Sequence, residues 1–423
     1  MTSTLKRNPP FRAEHLGSLL RTDQLLEARH AWEAGKASEE DLRPIEDKDV
    51  QEIVKTQLEL GFHAITDGEY RRHMFWGSFW PGLEGMKEVA EPDPSIFRMY
   101  IPDIAAFTEA GYKPGETVIC TGKIKHVGST YTDQFDYLKS LVPEEKTKNL
   151  KLTLAAPNWY HLRYKEGQAY PKDVYANDDE YFSDVAKAYQ AELKTLYDHG
   201  LRNVQFDDPN LACKHQPLIL PDPIQQANKY LHTDFCSEAM LTGWKNDPNN
   251  TYSADTLLEK YIALYNDCIS QIPPDMHVGV HLCRGNFVNS RHFSEGGYDR
   301  IATKLFQELN MHTYYLEYDT PRAGGFAPLE HLPKNKNVIL GVITSKFPKL
   351  ENLDEMEGRV REAVKYMCKG SGESEEEALR RVGVSPQCGF ASHSSGNAIG
   401  REDMVRKLRL VRELADRVWG GEA

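Results

Sequence analysis

HVGVHLC, residues 277–283, decides the fold. It is a short β-branched and apolar run with His281 and Cys283 two apart at its end, so the period of an extended strand turns both side chains the same way. Upstream, 254–271 (ADTLLEKYIALYNDCISQ) has helical spacing, and downstream 299–309 (DRIATKLFQEL) does too. Further strand-like runs lie at 13–18, 62–67, 151–156, 203–208, 313–318, 338–344 and 384–390, with more helical stretches at 180–199 and 401–417. That makes eight strands in a repeated βα order, and the expectation is an α/β fold, a (β/α)8 TIM barrel. A ninth strand-like run, 116–127 (ETVICTGKIKHV), does not fit the repeat. It is assigned with the Tyr- and Pro-rich 80–115 to an insertion at about 80–127 after the second strand. On this reading residues 1–423 form one barrel domain. The polar, glycine- and aromatic-containing segment 284–300 follows the fifth strand and has the character of a binding loop or lid.

The chain has 423 residues, 40% hydrophobic and 27% charged, enough for a large core, and a formal net charge of −12. That charge argues against general affinity for nucleic acid or an anionic membrane. No run of about 18 apolar residues is present to span a bilayer, and the first residues lack the apolar core of a secretory signal. A cytoplasmic protein is expected. Its seven cysteines are scattered and odd in number, so reduced thiols are expected, with any special cysteine catalytic or metal-bound.

Glu317 closes the strand after His281 and Cys283, and Cys388 lies at the eighth. Spacings of about one and two βα units bring His281, Cys283, Glu317 and Cys388 to one rim, the carboxyl-terminal face where barrel enzymes work. Two thiolates, an imidazole and a carboxylate suit Zn2+ better than magnesium or calcium. Zinc favours the thiolate of an incoming substrate, which points to thiol activation. The plainer alternative is that these cysteines only pack.

At these residues the chain resembles the catalytic barrel of cobalamin-independent methionine synthase and, more closely, its short single-barrel relatives. The matching motifs are FRAEHLGSLLR (11–21), ITDGEYRRHMFW (65–76), VQFDDP (204–209), VGVHLCRGN (278–286), YLEYD (315–319) and QCGFAS (387–392). The resemblance implies zinc on His281, Cys283, Glu317 and Cys388. It also implies an amino-acid thiol held by Leu16, Gly17 and Ser18, with Glu69 and Asp207 gripping its ammonium. A glycine that permits close backbone approach and two rim carboxylates agree with this. The plainer reading of Glu69 and Asp207 is a salt bridge to Arg71 or Arg72.

The chain departs from the family in two ways. Where methionine synthases carry a histidine thought to donate a proton at the end of the seventh strand, this chain reads Ser345 and Lys346. Lys346 and His15 are the candidate proton-transfer groups, with His73 and His161 behind them. The chain also has one barrel where the full enzymes have two. A folate methyl donor therefore stays open, and the aromatic segments 71–80 and 156–164 either stack on a donor or pack the barrel. The implied activity is zinc-dependent methyl or alkyl transfer to a small thiol such as homocysteine. The alternatives are thiol–epoxide transfer or carbon–sulfur cleavage on the same barrel, and a non-catalytic zinc-containing binding protein. The decarboxylase branch of the superfamily lacks this ligand set.

Overall fold

The computed structural model describes residues 9–109, 116–211, 238–286, 290, 292, 294 and 296–420. Two strands, β1 (Leu83–Val89) and β2 (Thr117–His126), pair antiparallel as a separate ribbon. Six others, β3 (Lys151–Ala155), β4 (Asn203–Asp208), β5 (His277–Leu282), β6 (Thr313–Glu317), β7 (Asn337–Ile343) and β8 (Val382–Pro386), lie side by side in chain order, all parallel. The helices are α1 (Asp23–Glu33), α2 (Glu39–Glu59), α3 (Pro102–Glu109), α4 (Thr132–Ser140), α5 (Asp178–Asp198), α6 (Glu238–Asn246), α7 (Ala254–Cys268), α8 (Ala302–Glu308), α9 (Leu353–Ser371), α10 (Glu375–Leu379) and α11 (Arg401–Trp419). Capping residues fix several starts. Asn177, Ser253 and Asn352 accept from the backbone at the heads of α5, α7 and α9, and Ser38 and Ser374 form capping boxes at α2 and α10. Buried Met404, Leu408, Val411 and Leu414 recur every three to four residues along α11, the stripe a helix lays on a barrel.

The first two strands expected from sequence, 13–18 and 62–67, are present only as single parallel bridges, Ala13 to Val384 and Ile65 to Leu150. They still close the barrel: Glu14 N–H donates to Val384 O, Leu19 N–H to Gly68 O, and Lys151 N–H to Ile65 O. The ladder is short because side chains satisfy the backbone instead. Gln57 accepts from Thr66 N–H at 2.9 Å and donates to Thr66 O at 2.8 Å, Thr66 Oγ1 donates to Gly17 O, and Lys151 Nζ donates to His15 O at 2.6 Å. Lys151 also pairs with buried Glu14 at 2.6 Å, pinning the first segment inside the barrel. The eighth strand runs 382–386 rather than 384–390, so Cys388 lies just beyond it. Between β6 and β7, Pro321 and Pro328 start short 3-10 turns in place of an α-helix, and Pro333 follows the second.

Among the described residues no helix is long and apolar enough to cross a membrane. Cys120, Cys268, Cys283, Cys368 and Cys388 are free thiols, while Cys213 and Cys236 lie outside the described residues. Within the expected binding loop 284–300, residues 287–289, 291, 293 and 295 also lie outside them.

Candidate functional site

Register builds the site. Asp207 on β4 pairs directly with His281 on β5, so both side chains leave the sheet at one level of the rim. Cys283 follows at the end of β5 and Cys388 arrives from the loop after β8. One nitrogen and two sulfur atoms from His281, Cys283 and Cys388 all lie within 4.8 Å of one another, and all three residues are buried. His281 Nδ1 is 3.2 Å from Tyr315 O. A carbonyl only accepts, so Nδ1 carries the proton and the Nε2 lone pair is left without a hydrogen-bond partner. The Cys283 thiol donates to Cys388, which holds the Cys388 thiol well below its ordinary pKa and, with burial, pushes Cys283 well above its own. An orphaned ring nitrogen beside a thiol–thiolate pair is a donor set that accepts a soft divalent cation in place of the shared proton. The residues present therefore fit zinc.

Glu317 stands apart from the other three expected ligands. Its Oε2 accepts from Arg284 N–H at 2.7 Å, and its Oε1 is ion-paired with Arg322. Burial would raise this carboxyl, but the guanidiniums of Arg322 and Arg284 outweigh it and hold the pKa low. Both oxygens of this fourth group thus already have partners, Arg284 N–H and the Arg322 guanidinium.

Beside the sulfurs lie two buried carboxylates. Asp207 Oδ1 accepts from Gln205 Nε2 at 2.6 Å, and Glu69 Oε1 accepts from Thr153 Oγ1 at 2.6 Å while its Oε2 has no hydrogen-bond partner. Burial raises both, and the neighbouring Glu69 charge helps push Asp207 up to about 7. Arg71, one salt-bridge partner considered from sequence, belongs to Glu46 and Asp47 instead; Arg72 comes within 3.9 Å of Glu69 Oε2. Glu69 has φ 61°, a left-handed conformation that costs a non-glycine residue energy and clusters at functional sites. Gly17, at φ 99°, lets the chain pass close by: a Cβ there would lie 2.5 Å from Thr153 Cγ2 and 2.9 Å from Glu69 Oε1.

These groups open into one cavity of about 540 Å3. Leu16, Ser18, Glu69 and Asp207 line it with His281, Cys283 and Cys388. Phe75, Trp76 and Trp159 also line it, as an aromatic wall. The Phe75 and Trp159 rings meet edge to face at 4.9 Å, and Trp76 stacks on Trp159 at 6.5 Å. The wall packs on itself and faces the cavity.

No protein-family model matches the chain. It is 34% identical to the uncharacterized protein YxjG of Bacillus subtilis, over 99% of this chain and 97% of that one. It is 28% identical to a methionine synthase of Saccharolobus solfataricus over 94% of each. Among solved structures, a Listeria monocytogenes protein described as a candidate vitamin-B12-independent methionine synthase superposes with a TM-score of 0.66 at 26% identity, covering 98% of this chain and 99% of that one. The chain belongs to the cobalamin-independent methionine synthase family.

Against the family's usual seventh-strand histidine, Lys346 is buried rather than a surface residue, its Nζ 3.2 Å from Gly285 O and from Asn286 Oδ1. Burial lowers its pKa, and Arg322 lowers it further. Ser345 Oγ donates to Gly389 O at 3.0 Å. His15 is not at the cavity: its Nε2 lies 2.9 Å from Gln57 Oε1 and 3.1 Å from Ala64 O, its Nδ1 accepts from Gly17 N–H at 3.4 Å, and burial drops its pKa to about 3. Its task is to shape the Leu16–Gly17–Ser18 turn. His161 is likewise held between Tyr261 and Asp178, and His73, which lines the cavity, is paired with Glu33. Sequence reasoning passed over two site residues. Asn286, the last residue of a quoted motif, donates to Gly389 O at 2.8 Å behind Cys388, and His393, one residue beyond QCGFAS, lines the cavity.

Proposed function

We propose that this chain is a zinc-dependent transferase that moves a methyl or other alkyl group onto the sulfur of a small amino-acid thiol, homocysteine or a close analogue. The convergence of His281 and two cysteines within 4.8 Å, next to the buried Glu69–Asp207 pair, carries the reading. His281, Cys283 and Cys388 would hold the zinc, with Glu317 the fourth member of the set. Bound there, zinc supplies Lewis-acid stabilisation of a thiolate near neutral pH. Three protein donors are gathered while Glu317 is held by Arg322, an arrangement that suits a site able to free a position for substrate better than a closed structural one.

The chain's own residues do the rest. Glu69 and Asp207 repel each other and lack solvent, so an ammonium is the ligand that relieves both, and it fixes the amino end of the thiol. Ser18 and the close-packed Gly17 backbone orient the substrate. The aromatic wall excludes water and seats the donor. Two free thiols in the site suit a reducing cytoplasm. Residues 1–423 are read as one barrel domain carrying its insertion at about 80–127.

Zinc-edge X-ray absorption on purified protein, with and without homocysteine, tests this. A new sulfur ligand on adding the thiol supports the transferase; protein that takes up no zinc, or whose zinc ignores every small thiol offered, refutes it.

A further inference from the structure

If the site alkylates a thiol, the leaving atom of the donor must be satisfied, and the seventh-strand position offers Ser345 and Lys346 where the family has its histidine. We propose that His393 supplies the proton, protonating the basic nitrogen of a tertiary-amine methyl donor as the carbon–nitrogen bond breaks. This rests on the thiol-alkylation reading above.

Position carries the argument. His393 is 6% exposed and lines the same cavity as Cys283, Cys388 and Asp207. The residue before it joins the two halves of that cavity: Ser392 Oγ is 3.8 Å from Cys388 Sγ, and Ser392 O accepts from Phe75 N–H at 3.2 Å. His393 itself forms an antiparallel bridge with Met74, and Gly396 N–H donates to His393 O at 3.0 Å. The backbone of His393 is thus anchored where the sulfur cluster meets the aromatic wall, and its side chain lines the cavity at the junction a transferring methyl group must cross. Both anchors are backbone contacts, so they do not depend on the imidazole.

The other imidazoles and the Lys346 ammonium are differently placed, and the Glu69 and Asp207 carboxyls that also line the cavity are taken by the substrate ammonium in the reading above. Of the four histidines lining the cavity among the described residues, His281 belongs to the metal cluster, His30 is exposed, and His73 is half-buried and paired with Glu33. Lys346 points its Nζ at Gly285 O and Asn286 Oδ1 and does not line the cavity. In the step, the sulfur–carbon bond forms and the carbon–nitrogen bond breaks, and its electron pair stays on nitrogen, which takes the His393 proton. The thiol's own proton leaves to solvent when the thiolate forms, and the imidazole recovers one from solvent, so the net change is thiol plus methylamine to thioether plus amine.

The test uses zinc-loaded protein, homocysteine and two methyl donors: 5-methyltetrahydrofolate, whose nitrogen needs a proton, and S-methylmethionine, whose sulfur leaves neutral without one. His393→Asn and His393→Gln are expected to lower kcat with the amine donor by at least about a hundredfold while changing the sulfonium rate less than about threefold. Homocysteine affinity by calorimetry is expected to stay unchanged. Should the wild-type protein accept only the amine donor, restoration of the variant rate by added imidazole supports the assignment and its failure overturns it. Equal losses with both donors, no loss with either, or a wild-type enzyme that uses only the sulfonium also overturns it. If homocysteine is methylated from neither donor, it is the thiol-transferase reading that fails.

Discussion

Replacing Asp207 by Asn is expected to stabilise the metal-free protein at alkaline pH while abolishing its grip on an amino thiol. The carboxyl is fully buried beside Glu69, and its pKa stands at about 7 against 3.8 for a free Asp. Between about pH 5.5 and 7 the unfolded chain has lost this proton and the folded chain still holds it. The folded state then binds more protons, so wild-type stability falls as pH rises and levels off above pH 7. At about 1.4 kcal/mol per unit over some one and a half units, the wild-type protein loses about 2 kcal/mol between pH 5.5 and 8 from this group. Asn does not titrate, and its carbonyl still accepts from Gln205. The stability difference between variant and wild type, from urea unfolding on chelator-treated protein, should therefore grow by about 2 kcal/mol in the variant's favour over that interval. Metal is removed because a nearby dication would offset the cost of ionising Asp207. A difference that stays flat with pH, or shrinks, refutes the claim that this carboxylate is held against ionisation for a cationic ligand.

Gly17→Ala puts a methyl 2.5 Å from Thr153 Cγ2 at φ 99°, and strain plus overpacking should cost roughly 2–5 kcal/mol. Because the same methyl crowds Glu69, homocysteine affinity should fall as well, and unchanged binding by calorimetry would count against the Gly17–Glu69 turn as the amino-acid cradle. Cys388→Ser removes one of three converging donors and should weaken zinc binding by more than about a hundredfold in chelator competition. Full retention of metal by that variant would place the ion elsewhere.

The eight-unit barrel was legible because strand and helix periods differ and repeat along the chain. The shortness of its first two strands was not, because Gln57, Lys151 and Thr66 satisfy that backbone through contacts distant in sequence. His281 and Cys283 could be read as a pair from their spacing alone. Cys388 was expected beside them from the count of βα units and lies there in the structure, whereas the pairing of Glu317 with Arg322, which arrives on a turn after β6, was not legible.

Sequence by itself determined the fold class, the residue types of the cluster and the rim on which they meet, because these follow from periodicity and from the order of βα units. Tertiary structure decided what each group can do. It buried Lys346 and tucked His15 behind the Leu16–Gly17–Ser18 turn, and it set Glu69 and Asp207 close enough that one charge raises the other's pKa. It also brought His393 to the meeting point of sulfur and aromatic wall. Burial and the approach of distant charges are properties of packing, and a sequence carries them only through the fold it makes.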